Sequence, residues 1–134
     1  MLKGFEHVGM TVKNIDKSLA FYVDLLGMEL VVRRRGRNGD ELAFVDAKGA
    51  MLEMVCPATG ALAAEDVAMG RAGVRHLTFN FDSVDQAYRI LTEAGVEMVE
   101  PPRDAHNRDI ASRIAFCRDP DGILIELMER ETRE

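Results

Sequence analysis

Two glutamates in this chain sit where a carboxylate needs a reason to be. Glu126 lies in the apolar run Ile123-Leu-Ile-Glu-Leu-Met, behind the turn Asp119-Pro-Asp-Gly. Proline presets φ in such a turn, and glycine accepts the left-handed position. Glu53 lies in Ala50-Met-Leu-Glu-Met-Val, behind Asp46-Ala-Lys-Gly. Each glutamate follows its turn glycine by four residues, Gly49 to Glu53 and Gly122 to Glu126. A carboxylate in a covered strand has to be paired, hydrogen-bonded or metal-bound, because burying it bare is costly.

Two histidines recur in the same manner. His7 stands in Gly4-Phe-Glu-His-Val-Gly-Met-Thr-Val and His76 in Gly73-Val-Arg-His-Leu-Thr-Phe-Asn-Phe, 69 residues further on. A single strand histidine is usually a structural residue. Two imidazoles and two carboxylates at equivalent places of a repeat point instead to a metal site. The carboxylates neutralise a divalent cation, and the mixed nitrogen and oxygen donors suit a first-row metal. The expected ligands are His7, Glu53, His76 and Glu126.

The elements that must place these four follow from periodicity. Gly4–Val12 reads as a strand with Val8, Met10 and Val12 on one face and Phe5, His7, Gly9 and Thr11 on the other. Asn14 caps a helix with Asp16 in its first turn, and Ile15, Leu19, Tyr22 and Leu26 form its apolar stripe. Gly27 ends it. Met28–Arg35 and Glu41–Val45 are strands joined at Arg37-Asn-Gly-Asp, and Met51–Cys56 is the fourth strand. Pro57–Ala72, rich in alanine and glycine, is a connector with one helical turn.

The pattern then restarts. Gly73–Phe81 is a strand that puts His76 on the face of Val74, Thr78 and Asn80. Ser83 caps a helix carrying Val84, Ala87 and Leu91 and ended by Gly95. Val96–Val99 is a short strand, Glu100–Ile110 a polar loop opened by Pro101-Pro102, and Ala111–Cys117 a strand leading back to the Glu126 run. The unit β-α-β-β-β is thus written twice. This predicts an α+β fold in a single domain, residues 1–134: a first module at 4–56, a connector at 57–72 and a second module at 73–128. Two copies make paired modules with curved mixed sheets, since a solenoid needs at least three units.

Composition excludes several classes. A chain of 134 residues, 47% hydrophobic and 30% charged, holds one substantial core and reads as soluble and globular. No apolar run approaches the roughly 20 residues of a membrane span, and the start lacks a signal-peptide layout. The net charge of −6 weighs against nucleic acid as a partner. Cys56 and Cys117 read as two reduced thiols of a cytoplasmic protein rather than a disulfide.

The doubled pattern, the opening His7-Val with Phe21-Tyr22 and Leu26-Gly27-Met28, and Asp119-Pro-Asp-Gly with Ile125-Glu-Leu resemble the vicinal oxygen chelate superfamily. That group holds glyoxalase I, methylmalonyl-CoA epimerase, extradiol dioxygenases, fosfomycin-modifying transferases and bleomycin-binding proteins. The resemblance runs from Phe5 to Met128. It implies that His7, Glu53, His76 and Glu126 are the metal ligands of a glyoxalase I-like lyase or isomerase, with zinc or nickel and, as other options, manganese, cobalt or iron. It also implies a homodimer and a small α-hydroxy or α-keto (thio)ester substrate. A cation that chelates two adjacent oxygens stabilises the enediolate formed when an α-proton leaves, and a glutamate beside it is the base. Glu126 is expected to carry that proton, with Glu53 as a second ligand or the base for the opposite stereoface.

The resemblance has departures. Glyoxalase I typically has an arginine four residues after the first histidine and an asparagine four after the first glutamate, both holding glutathione. Here these positions are Thr11 and Pro57. An epimerase-like isomerase is therefore an alternative. A dioxygenase or thiol transferase is another, although these usually use two histidines and one glutamate. A non-catalytic resistance protein usually lacks the metal set altogether. Outside the four ligands, His106 reads as a solvated loop histidine. The Arg33–Arg37 run reads as an exposed strand face or a substrate anion site, Arg103, Arg108 and Arg113 as weaker anion contacts, and the eight methionines as core filling.

Overall fold

Alternation of covered and open positions organises each half of the chain in the computed structural model, which describes residues 1–130. The chain divides into two units, Met1–Ala63 and Ala64 onward. The first contains β1 (His7–Thr11), α1 (Ile15–Leu19), β2 (Glu29–Arg35), β3 (Glu41–Asp46) and β4 (Met51–Cys56). Its sheet has the order β1-β4-β3-β2, with β1 parallel to β4 and the other pairs antiparallel. Met10, Ala43, Val45, Leu52 and Met54 are buried on the helix side.

Asn14 caps α1 as expected, its Oδ1 accepting from the Lys17 N–H at 3.0 Å. The helix then departs from the expected stripe. From Ala20 to Leu25 it widens into a π-helix, and the Leu26 N–H donates to the Phe21 carbonyl at 3.0 Å. The wider turn lets the adjacent residues Phe21 and Tyr22 both enter the core, edge-to-face with centroids 4.8 Å apart. Burying two aromatic side chains outweighs the poorer hydrogen-bond geometry of the wide turn. The buried positions are therefore Ile15, Ser18, Phe21 and Tyr22, while Leu19 and Leu26 are half-buried.

The second unit contains β5 (Leu77–Asn80), α2 (Val84–Glu93), β6 (Met98–Asp104), β7 (Arg113–Arg118) and β8 (Leu124–Glu129), in the sheet order β5-β8-β7-β6. Ser83 caps α2 by accepting from the Gln86 N–H at 3.1 Å, and Val84, Ala87 and Leu91 are buried as the spacing predicts. They cover Ala115, Cys117, Ile125 and Leu127. Both units thus show the β-α-β-β-β order.

Several elements differ from expectation, β1 among them, which runs His7–Thr11 and not from Gly4 to Val12. β5 is shorter than Gly73–Phe81, so His76 stands just ahead of the strand and not within it. β6 continues to Asp104 through Pro101 and Pro102, where a loop was expected from Glu100. β6 is an edge strand, so one of the two missing N–H groups falls on its open side, and the register shift between Glu100 and Arg103 accommodates the other. The connector forms turns and no helix. Its second half belongs to the second unit: Ala64 N–H donates to the Asp121 carbonyl at 2.9 Å, and Arg118 donates to Asp66 at 2.8 Å.

The turns ahead of the two glutamates are built alike but differ in length. Asp46 Oδ1 accepts from the Lys48 N–H at 2.7 Å, whereas Asp119 Oδ1 accepts from Asp121 and Ile123, each at 2.9 Å. Phe44 pairs with Glu53 and Phe116 with Glu126, so the second connection is one residue longer. Gly122, at φ 88°, takes the left-handed position that the Asp-Pro-Asp-Gly sequence predicts. No helix among the described residues is long and apolar enough to cross a membrane.

Both cysteines are free, and they fall in different units. The half-buried Cys56 thiol points at the Lys13 carbonyl at 3.4 Å, while Cys117 is fully buried. Burial, and after it the nearby Asp119 charge, pushes the Cys117 thiol up to about 12. In the folded protein at about pH 8.5, where an ordinary thiol is half ionised, iodoacetamide should label Cys56 and spare Cys117 until denaturant is added. Native labelling of Cys117 at the rate of Cys56 would mean that the covered face of β7 opens.

Candidate metal centre

Because β4 buries Leu52 and Met54, Glu53 between them must face away from the helix. In β8 the buried Ile125 and Leu127 do the same to Glu126. The cross-strand register then selects the neighbours. Gly9 lies opposite Glu53 in the parallel β1–β4 pair, and His7, two residues earlier on β1, shares that face. A Cβ at Gly9 would meet Glu53 Oε1 at 3.7 Å, so the carboxylate lies over the glycine. The His7 ring packs edge-on against Phe44 with centroids 5.7 Å apart, and Phe44 pairs with Glu53.

The second unit repeats the arrangement. Thr78 lies opposite Glu126 in the parallel β5–β8 pair, and His76 precedes Thr78 by two residues. The His76 ring packs edge-on against Phe116 at 5.5 Å, and Phe116 pairs with Glu126. One difference separates the copies. Where the first unit has Gly9, Thr78 places its Oγ1 at 2.9 Å from His76 Nδ1 and donates to Glu126 Oε1 at 3.2 Å. The polar neighbour of His7 is Glu6, whose Oε1 is 3.7 Å from Nδ1, too far for a hydrogen bond.

Each unit therefore brings together one of the expected histidines with one of the expected glutamates. Glu53 is half-buried and has no hydrogen bond or ion pair among the described residues. Among the described residues Glu126 has one hydroxyl partner, which leaves its second oxygen open. Half-buried carboxylates with unused acceptor capacity beside an imidazole are the donor set a first-row divalent cation takes, so the residues fit such a metal. Among the described residues no three His, Cys, Asp or Glu side chains gather closely enough to hold one. Each unit supplies a pair.

Other candidates lie elsewhere. His106 is exposed in the loop after β6. Arg33 donates to Asp16 at 2.8 Å and to Glu41 at 3.2 Å, and Arg35 also donates to Glu41 at 3.2 Å. Arg34, in register with Leu42, alternates to the face of His7 and Glu53 and has no partner among the described residues. Arg103 pairs with Glu100, Arg108 donates to the Ser112 carbonyl, and Arg113 forks onto Asp85 at 2.8 and 2.9 Å. Thr11, in register with Val55, shares the His7 face, and Pro57 directly follows β4. Sequence reasoning missed Phe44, Phe116 and Thr78 as site residues. The signal was present: an aromatic on the third strand of each module, and a hydroxyl two residues after one histidine but not the other.

A model of the Glyoxalase/Bleomycin resistance protein/Dioxygenase superfamily matches residues 4–127. The chain is 29% identical to a probable lactoylglutathione lyase from Synechocystis sp., over 96% of each chain. It is 30% identical to the lactoylglutathione lyase of Salmonella typhimurium, over 92% of this chain and 90% of that one. Among solved structures it is similar to a glyoxylase/bleomycin resistance protein/dioxygenase domain from Frankia sp. EAN1pec. That match has a TM-score of 0.80 and 26% identity and covers 98% of this chain and 100% of the other.

Proposed function

We propose that this chain, which belongs to the Glyoxalase/Bleomycin resistance protein/Dioxygenase superfamily, is a metal-dependent lyase or isomerase of the glyoxalase I type. The observation that carries the reading is the repeated His–Phe–Glu set, placed by the same register on the same face of each sheet. Relatives named lactoylglutathione lyase support the reaction class. In this reading His7, Glu53, His76 and Glu126 hold one divalent first-row cation, zinc or nickel foremost. Such a cation, when bound, lowers the cost of the negative charge that develops on two adjacent substrate oxygens as an α-proton leaves.

The chain's own groups handle the proton. Glu126 takes it at Oε2, the oxygen that Thr78 leaves without a hydrogen bond. Glu53, lying over Gly9 with no partner to displace, serves the opposite face of the substrate carbon. Phe44 and Phe116 flank the imidazoles and keep apolar surface beside the reacting groups. Arg34, on the His7 face and without a partner among the described residues, would meet an anionic end of the substrate.

The substrate is a small α-hydroxy or α-keto (thio)ester. One observation favours a carrier other than glutathione, or an epimerase-like reaction on a related thioester. Thr11 offers a hydroxyl where a guanidinium would grip a carboxylate, and Pro57 offers no side-chain amide. Since each unit supplies one pair of ligands, a full set takes two pairs, and the proposal includes a homodimer.

Elemental analysis should find divalent metal in the wild-type chain and much less in His76→Ala; equal metal in both would remove His76 from the site. Glu126→Gln keeps the size of the side chain and one oxygen but loses the base. It should slow exchange of the substrate α-hydrogen in heavy water by roughly 10²–10⁴-fold while some metal stays bound. Exchange at the wild-type rate would reduce Glu126 to a ligand. Sedimentation at micromolar concentration should give a dimer, and a monomer there would contradict the assembly.

A further inference from the structure

We infer that Thr78 is a positioning residue for the second unit's ligand pair: its hydroxyl accepts from His76 Nδ1–H and donates to Glu126 Oε1, fixing His76 in the tautomer whose Nε2 is free to ligate. The inference rests on the reading that His76 and Glu126 bind a metal. A threonine hydroxyl has one proton and two lone pairs, and an ionised carboxylate only accepts. The 3.2 Å contact with Glu126 Oε1 therefore uses the Thr78 proton. The 2.9 Å contact with His76 Nδ1 then has to be an N–H donated to the Thr78 oxygen. That leaves the lone pair of the imidazole on Nε2.

The scaffold holds this chain of contacts in place. Thr78 and Glu126 are register partners in the β5–β8 ladder, so their Cα positions are set by backbone hydrogen bonds. Threonine is stiff about χ1. Phe116, edge-on to the imidazole at 5.5 Å, limits its rotation. The first unit is the internal contrast. Gly9 stands in the place of Thr78 and offers no hydroxyl, so no hydrogen bond among the described residues ties His7 to Glu53. The second pair is preorganised and the first is not.

The variants are Thr78→Val, which keeps the shape and branching and removes the hydroxyl, and Thr78→Ser, which keeps the hydroxyl. In the metal-free chain, ¹⁵N chemical shifts of the imidazoles report the tautomer directly. Wild type and Thr78→Ser should show His76 protonated at Nδ1, and Thr78→Val should shift it toward the Nε2–H form that free imidazole favours. His7 in the same spectra should populate both forms. Zinc affinity, measured by competition with a chelator, should fall by about 10–100-fold in Thr78→Val, the usual cost of losing a partner behind a ligand, and be largely kept in Thr78→Ser. His76 protonated at Nε2 in the wild type, or undiminished zinc affinity in Thr78→Val, would overturn the inference. A wild-type chain that binds no zinc sinks the ligand reading instead, and the metal-free tautomer then decides the role of Thr78 alone.

Discussion

Everything that matters at the candidate site depends on the period of two along β4 and β8. Each strand must turn two residues toward its helix, Leu52 and Met54 in one case and Ile125 and Leu127 in the other. Full burial of such side chains is worth roughly 1.5–3 kcal/mol each, and a slip of one residue would exchange them for the glutamate. The carboxylates are thus put on the open face by the apolar residues beside them, before any contact of their own such as that of Glu126 with Thr78. The parallel pairing then brings in the histidines, because the first strand of each unit lies next to the last.

This explains which features were legible in the sequence. The doubled β-α-β-β-β order, the caps at Asn14 and Ser83 and the faces of β4 and β8 depend on local pattern and chemistry, and the structure has them. The π-helix was not legible: Ile15, Leu19, Tyr22 and Leu26 make a plausible stripe, and only burial of Phe21 beside Tyr22 shows that the helix widens. β6 was hidden for a similar reason. Pro101 and Pro102 argue for a loop unless the strand is known to be an edge, and edge position is a property of the whole sheet. At the site, the four candidate ligands could be picked out by repetition, whereas Phe44, Phe116 and Thr78 act through cross-strand register, which one strand alone does not reveal.

The two copies share a plan and have diverged in how tightly they hold it. The turn before Glu126 is a residue longer and is fastened by Asp119 through two N–H groups, while the turn before Glu53 has one such bond from Asp46. Arg118 further joins that turn to Asp66 and to the Gly122 carbonyl. Hydrogen bonding to Arg118 holds the Asp66 carboxyl below its ordinary range and strengthens the guanidinium's own hold on its proton. The first unit leaves its glutamate room to move, and the second anchors its own. In the proposed function the anchored carboxylate, Glu126, is the one that would take the proton, from a fixed position.

The outer strands carry a different consequence. A four-stranded open sheet presents unpaired backbone at its margins, and a molecule with two such sheets doubles the hazard of templated fibre growth. Here β2 is lined by the consecutive Arg33, Arg34 and Arg35, whose like charges repel an incoming copy of the same strand. β6 is interrupted by Pro101 and Pro102, which have no N–H to offer, and is bent by two register shifts. The arginines and prolines that complicate the reading of these segments therefore leave the β2 margin charged and the β6 margin bent, so neither of these two edges offers a flat, uncharged template.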